Sequence, residues 1–184
     1  MFFWFLHLSL KPKPDYNPPV NRTLTLIYST STGHTEFVVD RLCTILTKRL
    51  PDLRINRQRA EVSTPEDLKK GTVLLLACGS WNTNNVEGQL QPHMHELLTI
   101  RAADADIKNM PAAAIGLGDE RYFFTARAAE KLTEYLTERH AKLLLPTLKI
   151  INDPFDQTAK IEAWAKEFAD AIEKLPANVT HSKS

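Results

Sequence analysis

"TLTLIYSTSTGHTEFVVDRL", residues 23–42, reads as a strand, a loop and the start of a helix. Thr23 to Tyr28 is short, apolar and partly β-branched, the composition of a buried strand. Phe37, Val38, Leu42, Ile45 and Leu46 then recur at helical spacing, which predicts a helix to about Leu50. Between them stand Ser29, Thr30, Ser31 and Thr32, followed by Gly33, His34 and Thr35. A loop that leaves a strand and enters a helix aims its backbone N–H groups and the helix dipole at one anion site. Thr30, Ser31, Thr32 and Thr35 add hydroxyl donors there, and Gly33 permits close backbone approach. The stretch lacks the Gly-Lys-Ser/Thr of a nucleoside triphosphate loop and the Gly-x-Gly-x-x-Gly of a dinucleotide fingerprint.

Outward from this unit, strands and helices keep alternating. "LRINRQRA" (53–60) alternates weakly, as an edge strand does. Ser63-Thr64-Pro65-Glu66-Asp67 carries a hydroxyl cap, a first-turn proline and early acids, which predicts a helix start. "TVLLLACGS" (72–80) is a continuous apolar run, the pattern of a parallel strand covered on both faces. Leu90, Met94, Leu97 and Leu98 fit one helical face. "AAAIGLGD" (112–119) is a strand of small residues, and Ala126, Ala129, Leu132 and Leu136 make the next helical stripe. "KLLLPTLKII" (142–151) is a strand that Pro146 interrupts, as at an edge or a bulge. Ile161, Trp164, Ala165, Phe168, Ile172 and Leu175 form a last amphipathic helix, with Trp164 in the core.

This alternation predicts an α/β domain, a doubly wound five-stranded parallel sheet with helices on both faces. Ligands of such sheets sit beyond the carboxyl ends of the strands, where strand order reverses. The loops after strands one, three and four, "STSTGHT", "GSWNTNNVEG" and "LGDERYFFTA", should therefore converge. Trp81 and Tyr122 stand in matching places on the second and third of them, with Phe123 and Phe124 beside the tyrosine. Two aromatics above one anion loop make a slot for a flat ring with a phosphate on a tail.

Composition narrows the alternatives. At 184 residues, 43% hydrophobic and 24% charged, the chain has the make-up of one ordinary globular domain. A formal net charge of +1 gives no basic field of the kind that recruits nucleic acid. Cys43 and Cys78 build neither a metal site nor a disulfide framework, which fits a reducing, cytoplasmic setting. His93 and His95 are two apart on an expected helix and point to different sides, so no metal is expected there. "MFFWFLHLSL" (1–10) is too short to span a membrane and lacks the marks of a secretory signal. The proline-rich "KPKPDYNPP" (11–19) reads as a linker. Residues 1–22 are thus expected to be a disordered extension or a misassigned start, 23–176 the domain, and 177–184 a disordered tail. A short membrane-surface anchor is the alternative reading of residues 1–10; membrane contact is not the expected one, and a monomeric state is expected.

With these residues in place, the sequence resembles the short-chain flavodoxins, electron carriers that bind FMN. "IYSTSTGHTE" (27–36) looks like the family's phosphate loop. "LLLACGSWNTNNVEGQLQP" (74–92) and "GLGDERYFF" (116–124) are similar to its two flavin loops, and "LKIINDP" (148–154) to its late-strand segment. No insertion splits the last strand, as in the short-chain branch. The resemblance implies that Thr30, Ser31, Thr32, Gly33, His34 and Thr35 hold the FMN phosphate. Trp81 would cover one flavin face and Tyr122 the other, with Ser80 and Phe124 in the same loops. Backbone groups at Asn82, Thr83, Gly118 and Asp119 would meet the ring's polar edge. It further implies redox partners, a flavin or pyridine-nucleotide reductase and an acceptor. The alternative on the same fold is an FMN-dependent quinone or nitro reductase, which needs an open flavin face.

Three positions depart from the family pattern. His34 replaces a frequent asparagine, and Asn82 a frequent glycine after the tryptophan. The strong acidity of the family is also missing. Of 23 basic and 22 acidic residues only Lys11, Lys13, Arg22 and Asp15 precede Thr23, so the domain is nearly neutral.

Overall fold

The computed structural model describes residues 22–83 and 86–176, without the side chain of Thr83. The expected extension, apart from Arg22, and the expected tail lie outside the described residues. Strand β1 (Thr23–Tyr28) is central and parallel to β2 (Arg54–Arg59) on one side and β3 (Val73–Thr83) on the other. β3 continues to β5 (Pro111–Gly118), which pairs with both β6 (Lys142–Leu143) and β7 (Leu148–Ile151). All these pairings are parallel. Among the described residues the one antiparallel strand, β4 (Val86–Leu90), folds back on the end of β3.

Alternation along the strands divides the core between two faces. Leu24, Leu26 and Leu75 pack with α1 (His34–Arg49) and α4 (Thr158–Glu173) through Val38, Leu42, Leu46, Ile161 and Phe168. Ile27, Leu74 and Leu76 face the other way, toward α2 (Pro92–Glu96) and α3 (Arg127–Glu138), through Met94, Leu132 and Leu136. This is why residues 73–78 are apolar without a break: each faces one of two covered layers. Trp164 is buried on the first face, its indole N–H donating to the Pro146 carbonyl at 2.8 Å.

Two elements differ from the reading of the sequence, and a third, the strand interrupted at Pro146, agrees with it. The expected helix at Ser63–Asp67 is only a pair of 3₁₀ turns, Ala60–Val62 and Asp67–Lys69. The capping signal is real, since the Asp67 carboxylate accepts from the Thr64 N–H at 2.7 Å. Leu68 is, however, the only apolar residue of "EDLKKGT", too little for a second turn to bury. The second loop is a β-hairpin: β3 runs on through Trp81 and returns as β4, which takes Leu90 out of the helical face assigned to it. The last strand is in two pieces around Pro146, whose missing N–H cannot continue the ladder.

Candidate functional site

β1 leads to β2 on one side of the sheet and β3 lies on the other, so strand order reverses between β1 and β3. The loop at that point takes its shape from Gly33, whose φ of 88° suits glycine and whose missing Cβ would look onto open space. Gly79, at the end of the covered part of β3, faces open space as well. Phe37 N–H is bonded to the Gly33 carbonyl at 2.9 Å, which places the N–H groups of His34, Thr35 and Glu36 in the unpaired first turn of α1. Thr30 Oγ1 accepts from the Gly33 N–H at 3.0 Å. Ser31, Thr32 and His34 are exposed, and Thr35 is buried beneath them. The His34 ring meets the edge of Phe155, with centroids 6.1 Å apart.

Behind this loop is a cluster that the sequence did not disclose. Tyr28 O–H donates to Glu36 Oε1 at 2.9 Å, and the guanidinium groups of Arg57 and Arg59 lie 4.7 Å and 5.4 Å from its ring centre. Both arginines also pair with Glu36, at 3.1 Å and 3.0 Å. The Tyr28 hydrogen bond, with the two cations, holds the Glu36 carboxyl below its ordinary range. A carboxylate in the first turn of α1 is thus neutralised by a strand edge that would otherwise be merely polar. Only the alternation that puts Arg57 and Arg59 on one face of the sheet, the face that α1 covers, could have signalled it.

The hairpin and the third loop are tied together. The register sets Gly79 beside Leu117, so both segments leave the sheet at adjacent points. Glu87 Oε1 accepts from the Phe124 N–H at 3.0 Å, and Arg127 covers the Phe124 ring at 4.5 Å. Gly88, with φ 73°, lies under that ring: a Cβ there would meet Phe124 Cβ at 2.6 Å. Ser80 Oγ accepts from the Ala128 N–H at 2.9 Å and so caps the start of α3. Ser80 and Phe124 therefore spend their contacts inside the protein and support the loops from behind.

What the loops present outward is aromatic. Trp81 is 40% exposed, Tyr122 53% and Phe123 87%, all at the carboxyl edge of the sheet. Large rings left in water at one edge mark a surface that a ligand or partner covers. A register shift between Trp81 and Thr83 bends the hairpin at the tryptophan, and Asn82 there is extended and exposed. The third loop is closed by Asn152, whose N–H donates to Gly118 O at 2.8 Å and whose Oδ1 accepts from Glu120 N–H at 3.0 Å. The Asp119 carboxyl is held at about 2, chiefly by the Arg121 guanidinium and then by the Arg121 N–H. Cys78 is buried under the switch point, its thiol pushed up to about 12 by burial, so it is packing and not redox chemistry. Among the described residues no group of acids, histidines and cysteines could hold a metal ion.

The family model described as Flavodoxin matches residues 26–164. The chain belongs to the flavodoxin family. It is 26% identical over 148 residues to a flavodoxin of Maridesulfovibrio salexigens, covering 80% of this chain and 97% of that one. A flavodoxin of Nitratidesulfovibrio vulgaris is 24% identical over 148 residues, with the same shares. The crystal structure of oxidised flavodoxin 1 from Bacillus cereus superposes with a TM-score of 0.73 at 21% identity, covering 84% of this chain and 99% of that one. Like other flavodoxins, the protein binds FMN and transfers electrons with redox partners. The site fits that cofactor chemically. The phosphate is an acceptor of hydrogen bonds, and the first loop offers hydroxyls and helix N–H groups around an open glycine; the ring needs apolar faces, and two exposed aromatics stand at the same edge.

Proposed function

We propose that the protein is a carrier and not a turnover enzyme. Thr30, Ser31, Thr32, His34 and Thr35, set around the turn that Gly33 makes, hold the FMN phosphate. Trp81 and Tyr122 cover the two ring faces, and backbone groups at Asn82, Thr83, Gly118 and Asp119 meet its polar edge. Ser80 and Phe124 keep the two flavin loops in place. When bound, FMN supplies the redox chemistry, and the protein sets the potentials. The residues do this by excluding water from the ring and by choosing which charges stand near it. A reductase loads the carrier and a separate acceptor unloads it, with the protein working as a monomer in the cytoplasm.

The observation that carries this reading is the pair of exposed rings on tied loops beside an open, hydroxyl-rich helix start. Rings on both sides of a slot leave no face on which a second substrate could stack, as a quinone or nitro reductase requires. The test is the visible spectrum of the purified chain, with about one FMN per chain expected. Steady-state NADPH oxidation by a quinone, without added reductase, should be negligible. Colourless protein that does not quench FMN fluorescence would overturn the binding mode, and rapid unassisted turnover would overturn the carrier assignment.

A further inference from the structure

A doubly ionised phosphate accepts hydrogen bonds and donates none, so a loop that binds it must present protons, not lone pairs. A serine hydroxyl carries one proton and two lone pairs, and the partner on its inner side decides which way the proton turns. Ser31 Oγ is 3.2 Å from Gln91 Nε2, which donates to it. Gln91 is 5% exposed, at the end of β4, and its own N–H is anchored on the Gly79 carbonyl at 3.1 Å. The orientation of its amide is fixed. Oε1 accepts from the His93 backbone N–H at 2.9 Å, and since a backbone N–H can only donate, the amide nitrogen must face Ser31. With its oxygen engaged from behind, Ser31 has its proton free for the exposed side of the loop. Thr30, which accepts from the Gly33 N–H, is polarised in the same sense.

We propose that Gln91 is a positioning residue that keeps the Ser31 proton turned outward, and thereby sets the preference of the loop for the phosphate of FMN. It touches neither the phosphate nor the ring and acts through Ser31. The inference rests on the FMN reading above. It also explains why a glutamine is buried here at all. A side chain serving only to cap α2 would need an acceptor, whereas this one also directs a donor at the anion loop.

The test uses the full chain stripped of flavin, titrated with FMN and with riboflavin. Gln91→Glu keeps an oxygen on the His93 N–H but turns the other arm into an acceptor, which draws the Ser31 proton inward. FMN affinity should fall about ten-fold or more, with riboflavin affinity changed less than about two-fold and the melting temperature close to that of the wild type. The new charge alone also repels phosphate, so the same change is made in a Ser31→Ala background. There only the charge acts, and the FMN loss should be about three-fold or less, against the roughly ten-fold or more of the wild-type background. Equal losses in the two backgrounds, or equal losses of FMN and riboflavin, would overturn the proposal. A wild-type chain that binds neither flavin would instead overturn the reading on which it rests.

Discussion

Tyr122 leaves half of its surface in water on a loop that Asn152 and Glu87 hold at its two ends, which is poor use of an aromatic unless something covers it. Stacking contributes roughly 0.5–1.5 kcal/mol beyond burial. Tyr122→Ala should therefore weaken FMN binding by about two- to ten-fold and, by admitting water, make the reduced, anionic flavin easier to form. A redox titration that finds the potentials unchanged would show that Tyr122 is not at the ring. Asp67 tests stability in place of function. Burial pushes its carboxyl up, but hydrogen bonds from Lys70 and from the Thr64 N–H and hydroxyl outweigh this and hold it at about 2, against an ordinary 3.8. Its folded value is depressed, so the stabilisation is complete above about pH 4 and is lost as pH falls toward the folded value, roughly 2 kcal/mol in all. Asp67→Asn should lower stability at neutral pH by about that amount and flatten its fall between about pH 4 and pH 2 in urea titrations. An acid limb identical to that of the wild type would assign the effect to another carboxyl.

The packing of α3 on β5 shows how much of an element's role its residues declare. "AAAIGLGD" reads as a strand from its place between loops, and it is one, but its smallness has a cause the periodicity does not carry. A Cβ on Gly116 would sit 2.2 Å from the Ala129 backbone nitrogen, so the strand is small because the helix lies on it. Gly116→Ala should destabilise the protein by about 1–3 kcal/mol or more, because backbone must move. It should also weaken FMN binding, since α3 starts from the loop that carries Tyr122. Unchanged stability by urea unfolding would mean that α3 can lift without cost. The strands, the two-faced core and the broken last strand were legible because each rests on local periodicity or on a proline. The hairpin was not, because its alternation is interrupted at the bend by polar residues that also suit a loop. Nor was the helix between β2 and β3: capping residues announce a start but not the apolar turn needed to continue. The anion loop could be read from its hydroxyls and glycine, whereas Gln91, Glu87 and the Tyr28 cluster act across 30 or more residues or through an edge strand, and no short window contains both partners.

Charge is a property of the entire domain, and here it is nearly balanced where flavodoxins are usually acidic. Three carboxylates around the site are also engaged: Glu36 by Arg57 and Arg59, Glu87 by the Phe124 N–H, and Asp119 by Arg121. A negative field disfavours the reduced, anionic flavin, so a neutral one should give a less negative potential for its formation than strongly acidic members show. Arg121 is the most direct handle, because its side chain is 80% exposed and adjoins Tyr122 in sequence. At about 8 Å one charge is worth roughly 0.5 kcal/mol in water-like surroundings and about 2 kcal/mol at an effective dielectric of 20. Arg121→Glu reverses one charge and releases Asp119 from its partner, and at the water-like end this amounts to about 1 kcal/mol, or about 40 mV for one electron. The potential should move down by that order at low ionic strength and by less at high salt, where the screening length for exposed charges falls to about 3 Å at 1 M. The screening also separates causes. A shift that salt does not diminish would come from a rearranged loop, and a potential as low as that of the acidic members and indifferent to Arg121→Glu would assign its control to the stacked rings and the Asn82 turn.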